Sequence, residues 1–149
     1  MSLQFLKAGT ADAVSLVAIS KHAFDSDVEV GASCTGGPPG YNSLSYHTKM
    51  ARMGCLYKLM EDYKIVGGAI LFTKDDDMNI GRIFVEPEYY RKGYGIFMMQ
   101  QIEAQFPEIK IFTLDTPIWN VRTNAFYQKL GYTEVRQDGD FVYYEKRRP

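Results

Sequence analysis

The stretch from Ile80 to Leu114 leaves this chain few ways to fold. An apolar run ends at Val85, and Pro87, which has no N–H for a ladder, closes it. Gly93-Tyr94-Gly95 then opens a helical pattern with Met98, Ile102 and Phe106 at four-residue steps, and a second apolar run follows from Ile109 to Leu114. A strand, a helix and a strand in that order require a parallel pair. On either side the period is two. The runs from Cys55 to Glu61, from Lys64 to Thr73 and from Met78 to Val85 read as consecutive strands. The runs from Thr133 to Gln137 and from Phe141 to Lys146 read as a hairpin around Asp138-Gly139. The expected class is α+β with an α/β centre: a mixed, mostly antiparallel sheet of about seven strands with flanking helices.

The remaining segments fit that frame. Leu3 to Lys7 reads as a first strand. Thr10 is a candidate N-cap, with Asp12 in the first turn, for a helix running to about Phe24 that buries Ala13, Leu16, Val17 and Phe24. Gly31 to Tyr46 carries no charge and contains Gly36-Gly37-Pro38-Pro39-Gly40, so it reads as a loop of the functional or mobile kind. A second helix is expected from Ser43 to Met53 with Tyr46, Met50 and Met53 on one face. A last helix is expected from Asn120 to Leu130, closed by Gly131. The 149 residues are expected to make one domain.

Composition excludes several functions. Seventeen basic residues against eighteen acidic ones leave no basic excess for nucleic acid. No apolar run approaches the ~20 residues of a membrane span. Cys34 and Cys55 lie too far apart for a CxxC site and no zinc-spaced Cys/His cluster accompanies them, so no metal is expected. Asp75-Asp76-Asp77 lacks the spacing of a calcium loop and reads as a solvated turn. With no signal segment, a cytoplasmic setting with reduced cysteines is expected.

The chemistry concentrates after Val85. Glycines at a helix start let successive N–H groups point into one concavity, where the helix dipole adds partial positive charge; Arg91 and Lys92 stand beside it. The chemistry such a geometry suits is anion binding; a plain helix start with a glycine turn and exposed cations is the alternative. The segment is neither a Walker loop nor a dinucleotide fingerprint, whose third glycine would fall at Met98. The segment Val85-Glu86-Pro87-Glu88-Tyr89-Tyr90-Arg91-Lys92-Gly93-Tyr94-Gly95 resembles the acyl-CoA-binding motif of the GNAT N-acetyltransferase superfamily, a V-x-P strand end followed by [QR]-x-x-G-x-[GA]. The segment from Asn120 through Phe126-Tyr127-Gln128-Lys129-Leu130-Gly131-Tyr132 is similar to the family's second signature. One position departs: Tyr90 stands where the family has Gln or Arg, and the basic residue is displaced to Arg91.

The resemblance implies acetyl-CoA as cosubstrate. Its pyrophosphate would lie on Arg91, Lys92, Gly93, Tyr94, Gly95 and Ile96, and its pantetheine beside Phe84 and Val85 as an added strand. A backbone N–H there would hold the thioester carbonyl oxygen. The resemblance also implies that the two parallel strands splay to admit the cofactor, that Asn120 faces it and that Tyr127 is the general acid. Asn120, Asn124 and Tyr127 share one stripe of their helix, for which solvent exposure is the expectation at Asn124. Candidate bases are Glu86 and Asp115; His22 and His47 have no partnering acid at a recognisable spacing. The expected activity is direct acetyl transfer to an amine. The alternatives are another acyl-CoA transferase of the same fold and a non-catalytic CoA-binding regulatory module. Asp25, Asp27 and Glu29, with Tyr41 and Tyr46, suggest a small cationic or aromatic amine rather than a protein as acceptor. The sequence leaves the oligomeric state open, a homodimer included.

Overall fold

The computed structural model describes residues 2–148. Seven strands form one sheet in the order β1-β2-β3-β4-β5-β7-β6. They are β1 (Leu3–Lys7), β2 (Leu56–Glu61), β3 (Lys64–Lys74), β4 (Asp77–Val85), β5 (Ile111–Pro117), β6 (Thr133–Gln137) and β7 (Phe141–Arg147). The helices are α1 (Ala13–Asp25), α2 (Leu44–Arg52), α3 (Tyr94–Gln105) and α4 (Val121–Lys129). Among the described residues only β4 and β5 pair in parallel, as the strand–helix–strand order demands. No helix among the described residues is long and apolar enough to cross a membrane.

Alternation along the strands divides the core between two faces. Leu56, Ile70 and Phe84 pack with Leu16, Ile19 and Ala23 of α1 and Met50 of α2. Their neighbours Tyr57, Ala69, Leu71 and Val85 turn to the opposite face, where Met98 and Ile102 of α3 and Tyr127 of α4 cover them. The helices are thereby divided, with α3 and α4 on one side of the sheet and α1 and α2 on the other.

Several expectations are corrected at the ends of elements. α1 begins after a short 3-10 turn, Thr10–Asp12. Thr10 is not its cap; the Gly9 N–H donates to Asp12 Oδ2 at 2.8 Å, and the same oxygen accepts from Lys58. Ala13 and Leu16 are buried as expected and are joined by Ile19, Ser20 and Ala23, while Val17 and Phe24 are only half-buried. α2 buries His47 and Met50, whereas Met53 is 58% exposed beyond its last turn. The last hairpin is pinned by the Asp138 carboxylate, which accepts from the N–H groups of Asp140 and Phe141 at 2.8 and 2.7 Å. The turn therefore does not depend on a left-handed Gly139. Gly131, at φ 92, closes α4 in the manner its position suggests.

Candidate active site

β4 and β5 pair only at Asp77–Ile111, Met78–Phe112 and Asn79–Thr113. Beyond that point residues 80–85 and 114–117 run on without pairing. Each strand follows its outer neighbour instead: β4 stays in register with β3 as far as Val85 opposite Gly67, and β5 with β7 as far as Pro117 opposite Phe141. Sheet twist then carries the two apart, opening a fork toward their C-terminal ends.

The direction of each main-chain group on the β4 wall follows from one hydrogen bond. Glu86 N–H donates to Val66 O at 2.9 Å, toward β3. Alternation gives Phe84 the same direction and turns the N–H groups of Ile83 and Val85 into the fork. Phe84 places its ring against Phe24 and His47, on the α1 face. Ile83 is a wall residue that sequence reasoning missed; the period-two pattern held the signal, but only the partner strand sets its phase.

A tight loop joins β4 to α3. Arg91 and Gly93 adopt left-handed conformations, at φ 67 and φ 81. The first helical bond runs from Phe97 N–H to Gly93 O, so the N–H groups of Tyr94, Gly95 and Ile96 have no acceptor among the described residues. These donors and the start of a twelve-residue helix make a concavity that favours an anion. Arg91 and Lys92 are exposed beside it, and the Lys92 ammonium lies 5.1 Å from the Tyr89 ring centre. Gly95 allows α3 to approach α4: a Cβ there would stand 3.2 Å from the Phe126 ring. Tyr90, at the departing position, carries the Arg122 guanidinium on its ring at 4.7 Å.

α4 supplies the other wall. Asn120 is its N-cap, 2% exposed, with Oδ1 accepting from Thr123 N–H at 3.1 Å. Asn124 is a correction: it is not solvated, but donates to Pro117 O and Asn120 O and accepts from the Tyr144 hydroxyl at 2.7 Å. The polar stripe fastens α4 to β5 and β7. Tyr127 is 6% exposed among Phe126, Tyr132 and Tyr144, and its hydroxyl has no hydrogen-bond partner among the described residues. Burial, reinforced by the Asp115 charge, raises its phenol well above the ordinary value, so it stays protonated. Asp115 is itself raised, by desolvation and then by the Asp138 carboxylate.

On the opposite face the acidic residues are already engaged. Asp25 accepts from Lys21 at 2.6 Å and from the Tyr41 hydroxyl at 2.8 Å, which hold its carboxyl below the usual range. Asp27 lies in the 3-10 turn Ser26–Val30, which rests on the start of α4; a Cβ on Gly31 would meet Trp119 O at 2.6 Å. Burial pushes Asp27 up to about 6, against the opposing pull of Arg122 and a hydrogen bond from Asn120. His47 is fully buried, its Nδ1 donating to Ser43 O, and burial lowers its pKa so that it is neutral. Tyr41 packs edge-on against Phe24, and Tyr46 lies under the Arg82 guanidinium. His22 proves to have an acidic partner after all: its Nδ1 lies 3.0 Å from Glu86 Oε1. A separation of 64 positions hid that pair from the sequence. No metal-holding group of three or more His, Cys, Asp or Glu side chains occurs among the described residues.

This arrangement has relatives. The acetyltransferase (GNAT) family model matches residues 32–132. Over 108 residues the chain is 28% identical to the uncharacterized protein YrkN of Bacillus subtilis (strain 168), a match covering 70% of this chain and 58% of that protein. The chain thus spans little more than half the length of that curated relative. The PaiA N-acetyltransferase of Thermoplasma acidophilum, solved in complex with coenzyme A, is similar with a TM-score of 0.86 at 17% identity, over 99% of this chain and 100% of that one. The ribosomal-protein-S18-alanine N-acetyltransferase of Escherichia coli is similar with a TM-score of 0.74 at 16% identity, over 98% and 94% of the two chains. At these identities the structural likeness is one of fold.

Proposed function

The chain belongs to the acetyltransferase (GNAT) family, and from that premise we propose that it moves an acetyl group from acetyl-CoA to the amine of a small molecule by direct attack. The observation that carries this reading is the fork, with the Val85 N–H turned in from one wall and the Tyr127 hydroxyl left unpartnered at the other.

The residues present suit acetyl-CoA. The free N–H groups of Tyr94, Gly95 and Ile96, with Arg91 and Lys92 nearby, match a pyrophosphate; Arg122 on Tyr90 adds a cation where the family's Gln or Arg is missing. The unpaired edge of β4 offers Ile83 and Val85 to an amide-bearing chain lying in the fork as a strand would. Val85 N–H then donates to the thioester oxygen as negative charge develops there. The Tyr127 hydroxyl donates to the departing sulfur, whose thiol has an ordinary pKa near ~8.5. Asn120 contributes by fixing the start of α4 and so the height of Tyr127. Glu86 and Asp115 remain the bases within reach of an amine, and Glu86 is the better supported, because it faces the α1 side and has a proton-accepting neighbour.

Calorimetric titration with acetyl-CoA, followed by thiol release across a panel of small amines and a peptide amine, tests the reading. Binding with release on small amines supports it. Binding without release on any amine favours the non-catalytic module, and no binding removes the family's cosubstrate from this chain.

A further inference from the structure

An amine at neutral pH arrives as an ammonium ion and must lose a proton before it can attack. Where that proton leaves is a question the fork does not answer, because Tyr127 gives a proton rather than taking one. Glu86 is the first residue beyond Val85, and its side chain lies on the α1 face. His22 Nδ1 meets both of its oxygens, at 3.0 and 3.3 Å. The carboxylate is the inner member, 22% exposed, and the imidazole the outer, 58% exposed. Both line an open depression of about 570 Å³ together with Ile19, Lys64, Glu88 and Tyr89. The cations nearby are committed elsewhere: Lys64 donates to the Tyr89 hydroxyl at 3.2 Å and Lys21 to Asp25 at 2.6 Å. Neither makes a salt bridge to Glu86 among the described residues, although Lys64 lies within the field of its charge.

We propose that His22 is the outlet for the acceptor's proton, acting through Glu86. This rests on the transferase reading above. With Glu86 ionised, the neutral imidazole donates its Nδ1–H to the carboxylate. Once Glu86 has taken the ammonium's proton, exchange with water moves the imidazole's own proton from Nδ1 to Nε2. Nδ1 then accepts the proton from Glu86, and the imidazolium releases one from Nε2 to water, which restores the starting pair. The amine nitrogen then bonds to the acetyl carbon as the C–S bond breaks. The second N–H proton, lost on forming the amide, is balanced by the one Tyr127 gives to sulfur and regains from solvent. One proton is released per turnover. His22 is thus a positioning and relay residue, and imidazole suits the task because it ordinarily changes charge between pH 5 and 8.

The test is the pH profile of kcat/KM for wild type and His22→Gln, with the amine that gives the most thiol release. The variant should lose about tenfold or more in kcat/KM and its near-neutral limb should shift, while acetyl-CoA Kd and acceptor KM stay within about threefold. Imidazole added to the buffer should restore part of the rate. An unaltered rate and profile overturn the proposal, as does a loss that imidazole does not rescue in a variant whose thermal unfolding matches wild type. If wild type itself binds acetyl-CoA but acetylates nothing, the transferase reading falls and takes the relay with it. Turnover in wild type with an indifferent His22→Gln variant overturns the relay alone.

Discussion

Asn79 and Thr113 are the last residues at which β4 and β5 pair, and Asn79 Nδ2 donates to Thr113 Oγ1 at 3.2 Å at the apex of the fork. Thr113 Oγ1 in turn donates to Met78 O, so the side chains continue across the strands where the main chain stops. A side-chain pin at this place sets where the strands part, and hence how deep a ligand can reach.

Asn79→Ala should therefore cost ~1 kcal/mol of stability in denaturant unfolding and weaken acetyl-CoA binding severalfold. Unchanged stability and affinity would mean that main-chain pairing alone holds the apex.

Gly93→Val addresses the anion loop. Nothing lies within 4 Å of a Cβ at Gly93, so the obstacle is conformational: at φ 81 a β-branched residue costs ~1–2 kcal/mol and re-aims the N–H groups. Acetyl-CoA affinity should fall by more than about tenfold, read by calorimetry on the folded variant. Wild-type affinity would place the anion site elsewhere.

Tyr127→Phe keeps the ring and deletes the oxygen. Because the hydroxyl has no partner among the described residues, stability should change by less than ~0.5 kcal/mol, whereas kcat should fall ~10²-fold with acetyl-CoA affinity retained. Full kcat, with chemistry shown to be rate-limiting, removes Tyr127 from the mechanism.

Asp27 governs a pH dependence of stability. Its carboxyl is raised to about 6 when folded, so between its ordinary pKa near ~4 and 6 the native state binds more protons than the unfolded chain. Its contribution declines as pH rises through that window, and above it the full penalty of a half-buried charge is present. Asp27→Asn should stabilise the protein by ~1 kcal/mol at pH 7.5, after allowance for solvent screening, and by nothing measurable at pH 4. A gain that is the same at both pH values would point to packing instead of charge.

Element order was legible because it is written locally. Short apolar runs bounded by turn residues mark β2, β3 and β4, four-residue steps mark α3, and the sequence of strand, helix and strand from Ile80 to Leu114 requires a parallel pair. The glycine loop was legible too, since φ 81 at Gly93 is a demand on a single residue. Periodicity, however, reports that an element has a buried face and not what covers it. His47 is buried because α2 settles against Phe84, and Met53 is exposed at the C-cap beyond its last turn. Asn124, expected in solvent, is fastened by Pro117 and Tyr144.

The sequence by itself thus determined the order of elements, the parallel pair and the glycine turn that opens α3, each a matter of a few consecutive side chains. Tertiary structure alone decided which N–H groups face the fork, because that phase comes from the bond of Glu86 to Val66 on another strand. It alone set His22 against Glu86 and Asp27 against Asn120, since a contact between segments far apart in the chain depends on how helices and sheet pack. Packing is a balance of many weak contacts, and no local spacing records its outcome.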